Sequence, residues 1–244
     1  MAKILSYPIT VIFYIIFGLC LLIFHPIQWI CLNVFGYQAH KRSVDVLNWF
    51  LLRCGNLLGT TYQTKNILSI PANVPIIFVS NHQSMFDIAV KIWFLRKNHP
   101  KFVSKQELGK GIPSVSYNLR HGGSVLIDRK DSKQALVVIK KLGQYIEKNK
   151  RSAVIYPEGT RSKNGMPKKF SENGLRILCK YAPNAYIVPI SINNSWKIFK
   201  YGSMFPLGLG SGITMSIHPA MKVSEYSFEE LFEKTRSAIL SEIK

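Results

Sequence analysis

Acidic side chains are scarce in this chain. Across 244 residues, 13 Asp and Glu stand against 32 Lys and Arg, a formal net charge of +19. Roughly four-fifths of that excess falls between residues 61 and 180. Such a field favours anionic partners: lipid headgroups, phosphorylated substrates, acidic proteins or nucleic acid. Nucleic acid is set aside, because no helix-turn-helix, finger or single-strand-binding signature accompanies the charge. Cysteine is sparse too. The four (Cys20, Cys31, Cys54, Cys179) have no Cys-x-x-Cys spacing and no nearby histidine pair, which argues against a zinc site and a disulfide framework and fits a reducing compartment. The chain also lacks internal repeats, low-complexity segments and disordered linkers.

Charge is missing altogether from Ile4 to His40, and Val11 to Phe24 is almost wholly apolar. No small-residue cleavage site follows this region, so a secretory signal is not expected. Pro26 divides the stretch into about 17 and about 10 residues, near the lower limit and below the limit for crossing a bilayer. Lys3 flanks one end and Lys41-Arg42 the other, which favours a two-helix hairpin dipping into one leaflet over a tilted single span. Val44 to Leu58 continues as an amphipathic helix, with Val44, Leu47, Leu51 and Cys54 on one face and Asp45, Asn48 and Arg53 away from it. Residues 1–58 are therefore expected to form an apolar, helical membrane-anchoring segment, and 59–244 a separate domain.

That domain reads as alternating strands and helices. Thr60 to Lys65 suggests an edge strand. Pro75 to Ser80, Lys101 to Ser104, Gly123 to Ile127, Ala153 to Tyr156, Tyr186 to Ile192 and Ile213 to His218 follow as strands. Helices are expected over Ile88 to Leu95, Ser132 to Asn149, Ser171 to Tyr181 and Phe228 to Ile243. Alternation at these intervals indicates an α/β fold with a mixed central sheet flanked by helices.

The chemistry centres on Asn81-His82-Gln83-Ser84-Met85-Phe86-Asp87. The histidine sits where a buried strand ends and a helix begins, a common station for reactive groups in such sheets. With a helix starting near Ser84, Asp87 lies in its first turn. There it can accept a hydrogen bond from the imidazole and leave the other ring nitrogen free as a base. Ser84-x-x-Asp87 equally fits a capping box, with both side chains serving only the helix end. Beyond neighbouring strand ends stand Lys105, Asp128-Arg129 and Tyr156-Pro157-Glu158-Gly159-Thr160-Arg161-Ser162. Lys105, Arg129 and Arg161 are placed to converge on one anion near His82, and Gly159 to bring the backbone close to a ligand.

These blocks, together with Val188-Pro189-Ile190, resemble in order and spacing the four motifs of the 1-acyl-sn-glycerol-3-phosphate (lysophosphatidic acid) acyltransferases over about residues 60–195. The resemblance implies transfer of a fatty acyl group from acyl-carrier protein or acyl-coenzyme A, as co-substrate and not cofactor, to the free hydroxyl of a lysophospholipid. It implies His82 as base, Asp87 as its orienter, Lys105 as a phosphate ligand, and Glu158, Gly159 and Arg161, with Thr160 between them, in the acceptor site. It implies an anionic membrane partner and a catalytic domain on the cytoplasmic face. The family's Phe-Lys-x-Gly pattern is absent: Phe170 is followed by Ser171-Glu172-Asn173-Gly174. Direct transfer, with no acyl-serine and no metal, is the expected route, since Ser84 reads as a cap and His82 and Asp87 lack further ligands.

Overall fold

The structure, a computed structural model, describes residues 2–128 and 130–243. Among these, eight strands form one mixed sheet: β1 (Thr61–Lys65), β2 (Ile76–Ser80), β3 (Pro100–Lys105), β4 (Val125–Ile127), β5 (Ser152–Ile155), β6 (Tyr186–Asn193), β7 (Gly212–Ile217) and β8 (Met221–Lys222). The order is β1-β7-β6-β2-β5-β3-β4, with β8 pairing β6 outside that path. Strands β6, β2, β5, β3 and β4 run parallel, so their carboxyl ends share one edge. β7 and β8 lie antiparallel to β6, and β1 closes one edge parallel to β7. β1 is thus the edge strand its sequence suggests.

Seven helices cover the two faces: α1 (Ala2–Phe35), α2 (Tyr37–Leu57), α3 (Asp87–Phe94), α4 (Val115–His121), α5 (Ser132–Asn149), α6 (Asn173–Tyr181) and α7 (Phe228–Ser241). Side chains alternate along β2. Ile76 and Phe78 join Val154, Val188 and Ile190 in a core shared with Phe13 of α1, Leu47 and Leu51 of α2 and Val90 of α3. Ile77 and Val79 face Leu142 and Ile146 of α5, Leu175 and Leu178 of α6 and Ile239 of α7. A strand covered on both faces has no use for polar alternation, which is why β2 is one apolar run. The result is three layers around a mixed sheet, as expected. α5 has the bounds read from its sequence, and Asp131 caps it by accepting from the Gln134 amide at 2.9 Å.

Residues 1–58 depart from the sequence reading in two ways. First, Pro26 does not divide the apolar stretch: α1 is one 34-residue helix with Pro8 and Pro26 inside it. A helix-interior proline crowds the carbonyl four residues earlier and leaves it unbonded. Pro26 and Leu22 both lie on the exposed side of α1. The chain reverses instead at Gly36, whose φ of +80° suits a residue without Cβ. α2 then returns along α1, bringing Phe50 to 5.7 Å from Phe24.

Second, Asp45 and Asn48 are buried although their positions point away from the Val44 face. The reason is that α2 is covered on two sides, by the sheet layer and by α1. Asp45 pairs with Lys41, and Asn48 donates to the Val44 carbonyl at 2.8 Å. The exposed stripe of α2 is instead Val46, Trp49, Phe50 and Leu57. It continues a larger one on α1, where Ile4, Val11, Ile15, Leu19, Ile23, Ile27 and Ile30 all lie open.

Candidate active site

β2 delivers His82 beyond its carboxyl end through an extended segment, and α3 begins at Asp87 rather than near Ser84. The imidazole Nδ1 lies 2.8 Å from Asp87 Oδ2. That oxygen also accepts the backbone amides of Gln83 at 2.8 Å and Ser84 at 3.0 Å, while Oδ1 accepts the Ser195 hydroxyl at 2.6 Å. One oxygen of Asp87 therefore holds both the imidazole and the turn that precedes α3, while α3 itself starts without a side-chain cap, so Ser84 and Asp87 do not form the full capping box. Ser84 is buried, and its Oγ accepts from the Phe86 amide at 3.2 Å.

The carboxylate has no exposed surface. Burial alone raises its pKa. The hydrogen bonds from His82 and Ser195 and the charge of Lys91 outweigh that and hold it below the usual aspartate value. An ionised carboxylate only accepts, so the proton between the pair sits on His82 Nδ1 and the lone pair on Nε2. Nε2 has no partner among the described residues, and the side chain keeps 13% of its surface exposed. Tyr156, at the end of β5, stacks on the imidazole with centroids 4.0 Å apart and planes 20° from parallel.

The loop after β5 is fastened to the histidine by its backbone. Glu158 Oε1 accepts the His82 amide at 2.7 Å and Oε2 accepts the Lys168 amide at 2.8 Å, while the Ser162 amide donates to the His82 carbonyl at 2.8 Å. Burial raises the pKa of Glu158 despite these donors. Gly159, at φ +66°, turns the chain outward, and Thr160 and Arg161 stand exposed. Lys168 folds back to place Nζ 2.7 Å from Thr160 Oγ1. Arg161 has no carboxylate partner among the described residues. Lys105, at the end of β3, leaves the same sheet edge and pairs with Glu107 at 2.8 Å. Arg129 lies outside the described residues; Asp128 just before it follows β4 at that edge.

Sequence reasoning missed three groups. Ser195 follows β6 and is 108 residues from the carboxylate it serves. Tyr156 was quoted in its motif without a role. Lys91, one turn after Asp87, is fully buried with no hydrogen-bond partner for Nζ among the described residues, and Nζ lies 5.0 Å from the Tyr156 ring centre. Of the three only Tyr156 carried a signal, its place at a strand end beside Pro157.

The family model described as Acyltransferase matches residues 62–193, just over half of the chain. The chain belongs to the acyltransferase family. The matched span runs from β1 to the end of β6 and holds His82, Asp87, Lys105 and Glu158 to Arg161; Ser195 falls just beyond it. Among curated relatives, the 1-acyl-sn-glycerol-3-phosphate acyltransferase of Helicobacter pylori is 36% identical over 126 residues, 50% of this chain and 50% of that protein. The chloroplastic LPAT1 of Arabidopsis thaliana is 31% identical over 147 residues, 60% of this chain and 39% of that protein. The chain spans about half the length of the curated relatives it matches. In three dimensions, this acyltransferase-family chain superposes on the Thermotoga maritima 1-acyl-sn-glycerophosphate acyltransferase PlsC with a TM-score of 0.78. That match covers 98% of this chain and 95% of the other at 22% identity, which shows a common fold that includes the helices before the sheet.

Proposed function

We propose that the chain transfers a fatty acyl group from an acyl thioester, carried by coenzyme A or acyl-carrier protein, to the sn-2 hydroxyl of 1-acyl-glycerol 3-phosphate, giving phosphatidic acid at a membrane surface. The observation that carries this reading is the His82–Asp87 pair, with Nε2 unengaged and the loop that bears the exposed Arg161 tied to the His82 carbonyl through the Ser162 amide. An alcohol is a weak nucleophile at neutral pH. In this reading His82 Nε2 takes the hydroxyl proton as the oxygen attacks the thioester carbonyl, and Asp87 stabilises the imidazolium that results. Collapse of the tetrahedral adduct forms the ester and breaks the carbon–sulfur bond, and the same Nε2–H protonates the departing thiolate. Arg161, Lys168 and Lys105, with Arg129, supply the positive charge for the glycerol phosphate.

Two further observations support the reading. Ser84 is fully buried and its Oγ accepts from the Phe86 amide, which favours direct transfer over an acyl-serine. Phe86, between the histidine and its aspartate, packs on Phe13 and Phe17 of α1, so the site adjoins the helix with the open apolar stripe. That helix is long and apolar enough to cross a membrane, and only 17% of its most apolar window is buried. The open apolar stripe and the +19 charge support a catalytic domain held at an anionic membrane surface, and the proposal places it on the cytoplasmic face.

Detergent-purified chain, lysophosphatidic acid and each thioester donor provide the test. His82→Ala and Asp87→Ala are expected to lower kcat by at least about a thousandfold while flotation with vesicles persists. Near-normal turnover in His82→Ala ends the assignment, and a panel of lysolipid acceptors fixes the headgroup.

A further inference from the structure

At the opposite edge of the sheet from His82, the start of β3 and the first turns of α2 enclose a second polar cavity of about 20 Å³. Lys101 in its wall pairs across the sheet with Ala153, which pairs with Ile77, five residues before His82. At about 3.3 Å per residue, the two places lie roughly 16 Å apart along the strands.

The cavity is rich in cations and short of acid. Lys101 is 5% exposed, and its Nζ donates to the Tyr37 hydroxyl at 2.9 Å, which in turn reaches His99 Nδ1 at 2.9 Å. The Arg151 guanidinium lies 3.9 Å from the centre of the Tyr37 ring. Asp45 is the one acid in the lining, and Lys41 pairs with it. Lys101 and Arg151 form no ion pair among the described residues. His40, 1% exposed and lining the same space, has no partner for either ring nitrogen among the described residues. Burial, with the charges of Arg151 and Lys41, pulls Lys101 down to about 7; burial, with the charge of Lys101, pulls His40 to about 4.

A buried imidazole without hydrogen bonds is costly, and so is a buried ammonium beside other cations that share a single carboxylate, Asp45. A water molecule in the cavity would satisfy His40 and leave the charge unbalanced. An anion does both. We propose that this cavity is a second, non-catalytic anion site that takes a phosphate group, held by Lys101, His40 and Lys41. The free volume admits one or two phosphate oxygens and leaves the rest of the group at the mouth. Tyr37 directly follows the Gly36 turn, and the exposed Trp29, Val34 and Phe35 precede it. A phosphate on a membrane lipid and free orthophosphate share the chemistry the site recognises. The site does not depend on the role given to His82.

The full chain in detergent, titrated with orthophosphate against chloride at equal ionic strength, is the first arm. Vesicles of phosphatidylcholine with or without phosphatidic acid are the second. Thermal stability and the His40 ring-nitrogen resonances are read in both. Phosphate is expected to raise the melting temperature and move the His40 signals in the wild type and in Arg161→Ala, which removes a cation of the other site. Lys101→Met should weaken that response at least about tenfold with acyl transfer in detergent unchanged. If Lys101→Met does not fold, His40→Gln gives the same reading. A response to phosphatidic acid vesicles alone assigns the site to a lipid headgroup, and one to orthophosphate assigns it to the free ion. No anion-specific response in either arm, or equal responses in wild type and variant, leaves a water-filled cavity and overturns the proposal.

Discussion

In the proposed mechanism His82 is kept ready as a base by the groups that donate to Asp87. Four donors converge on that carboxylate, and one of them, the Ser195 hydroxyl, arrives from a strand end 108 residues away, which no local pattern links with it. Ser195 is a positioning residue in this arrangement. Ser195→Ala should lower kcat about tenfold with little change in KM, and Ser195→Thr should restore most of it. Losing the donor makes Asp87 more basic and strengthens its hold on the imidazolium, so the acid limb of the kcat–pH profile moves upward; an unmoved limb reduces Ser195 to packing. Lys91 is the other residue that sequence could not place, because a lysine on a short helix reads as a solvated end. Burial lowers it to about 8, against the pull of Asp87. An unfolded lysine keeps its proton to about pH 10.5, so the folded state is penalised by roughly 3 kcal/mol below pH 8 and recovers between pH 8 and 10.5. Lys91→Met should raise the melting temperature by several degrees at pH 7, with the gain shrinking toward pH 10. His82 and Asp87 were legible for the opposite reason: five residues apart across a strand-to-helix junction, they form a local pair.

Two loops, after β2 and after β5, act as one element because Glu158 joins them. Its two oxygens hold the amides of His82 and Lys168, so the acid expected in the acceptor site also braces the base. Glu158→Gln keeps the size but places an NH2 against one of two N–H donors. The expected outcome is a fall in kcat of about tenfold to a hundredfold with a smaller change in KM, whereas Arg161→Ala should chiefly raise KM for the lysophospholipid. Comparable losses in both parameters for both variants would contradict this division of labour. At this scale the sequence was most informative where burial is two-sided or periodic, as in β2 and α5. It was least informative in residues 1–58. Pro26 looked like a break because its cost in a packed helix is high, and the exposed side of α1 lowers that cost. Asp45 looked solvent-facing because nothing in α2 announces that the start of β3 will lie against it.

For the whole molecule, the orientation of α1 decides how the protein meets a bilayer. Its contacts with the sheet layer run from Thr10, which accepts from the Leu207 amide at 3.0 Å, through His25, which accepts from the Ser114 amide at 3.1 Å, to Asn33, which reaches the Tyr117 hydroxyl at 3.1 Å. At 1.5 Å per residue that docked stretch is about 35 Å long, more than the roughly 30 Å of hydrocarbon in a bilayer. A crossing helix would carry the flank of the sheet domain into lipid, with polar groups such as Ser114 and Lys101. Lying in the interface, the same helix immerses only its open stripe and that of α2, and the +19 body stays among anionic headgroups. Lys3 and Arg42, near the two ends of α1, then share one side of the membrane. In vesicles holding a chain whose native cysteines are replaced, Lys3→Cys and Arg42→Cys should both react with an impermeant maleimide added from the side that carries the catalytic domain. Labelling of the two from opposite sides would establish a transmembrane α1 and require it to detach from Phe86 and Ser114. The site would then lose the apolar wall that Phe13 and Phe17 give it.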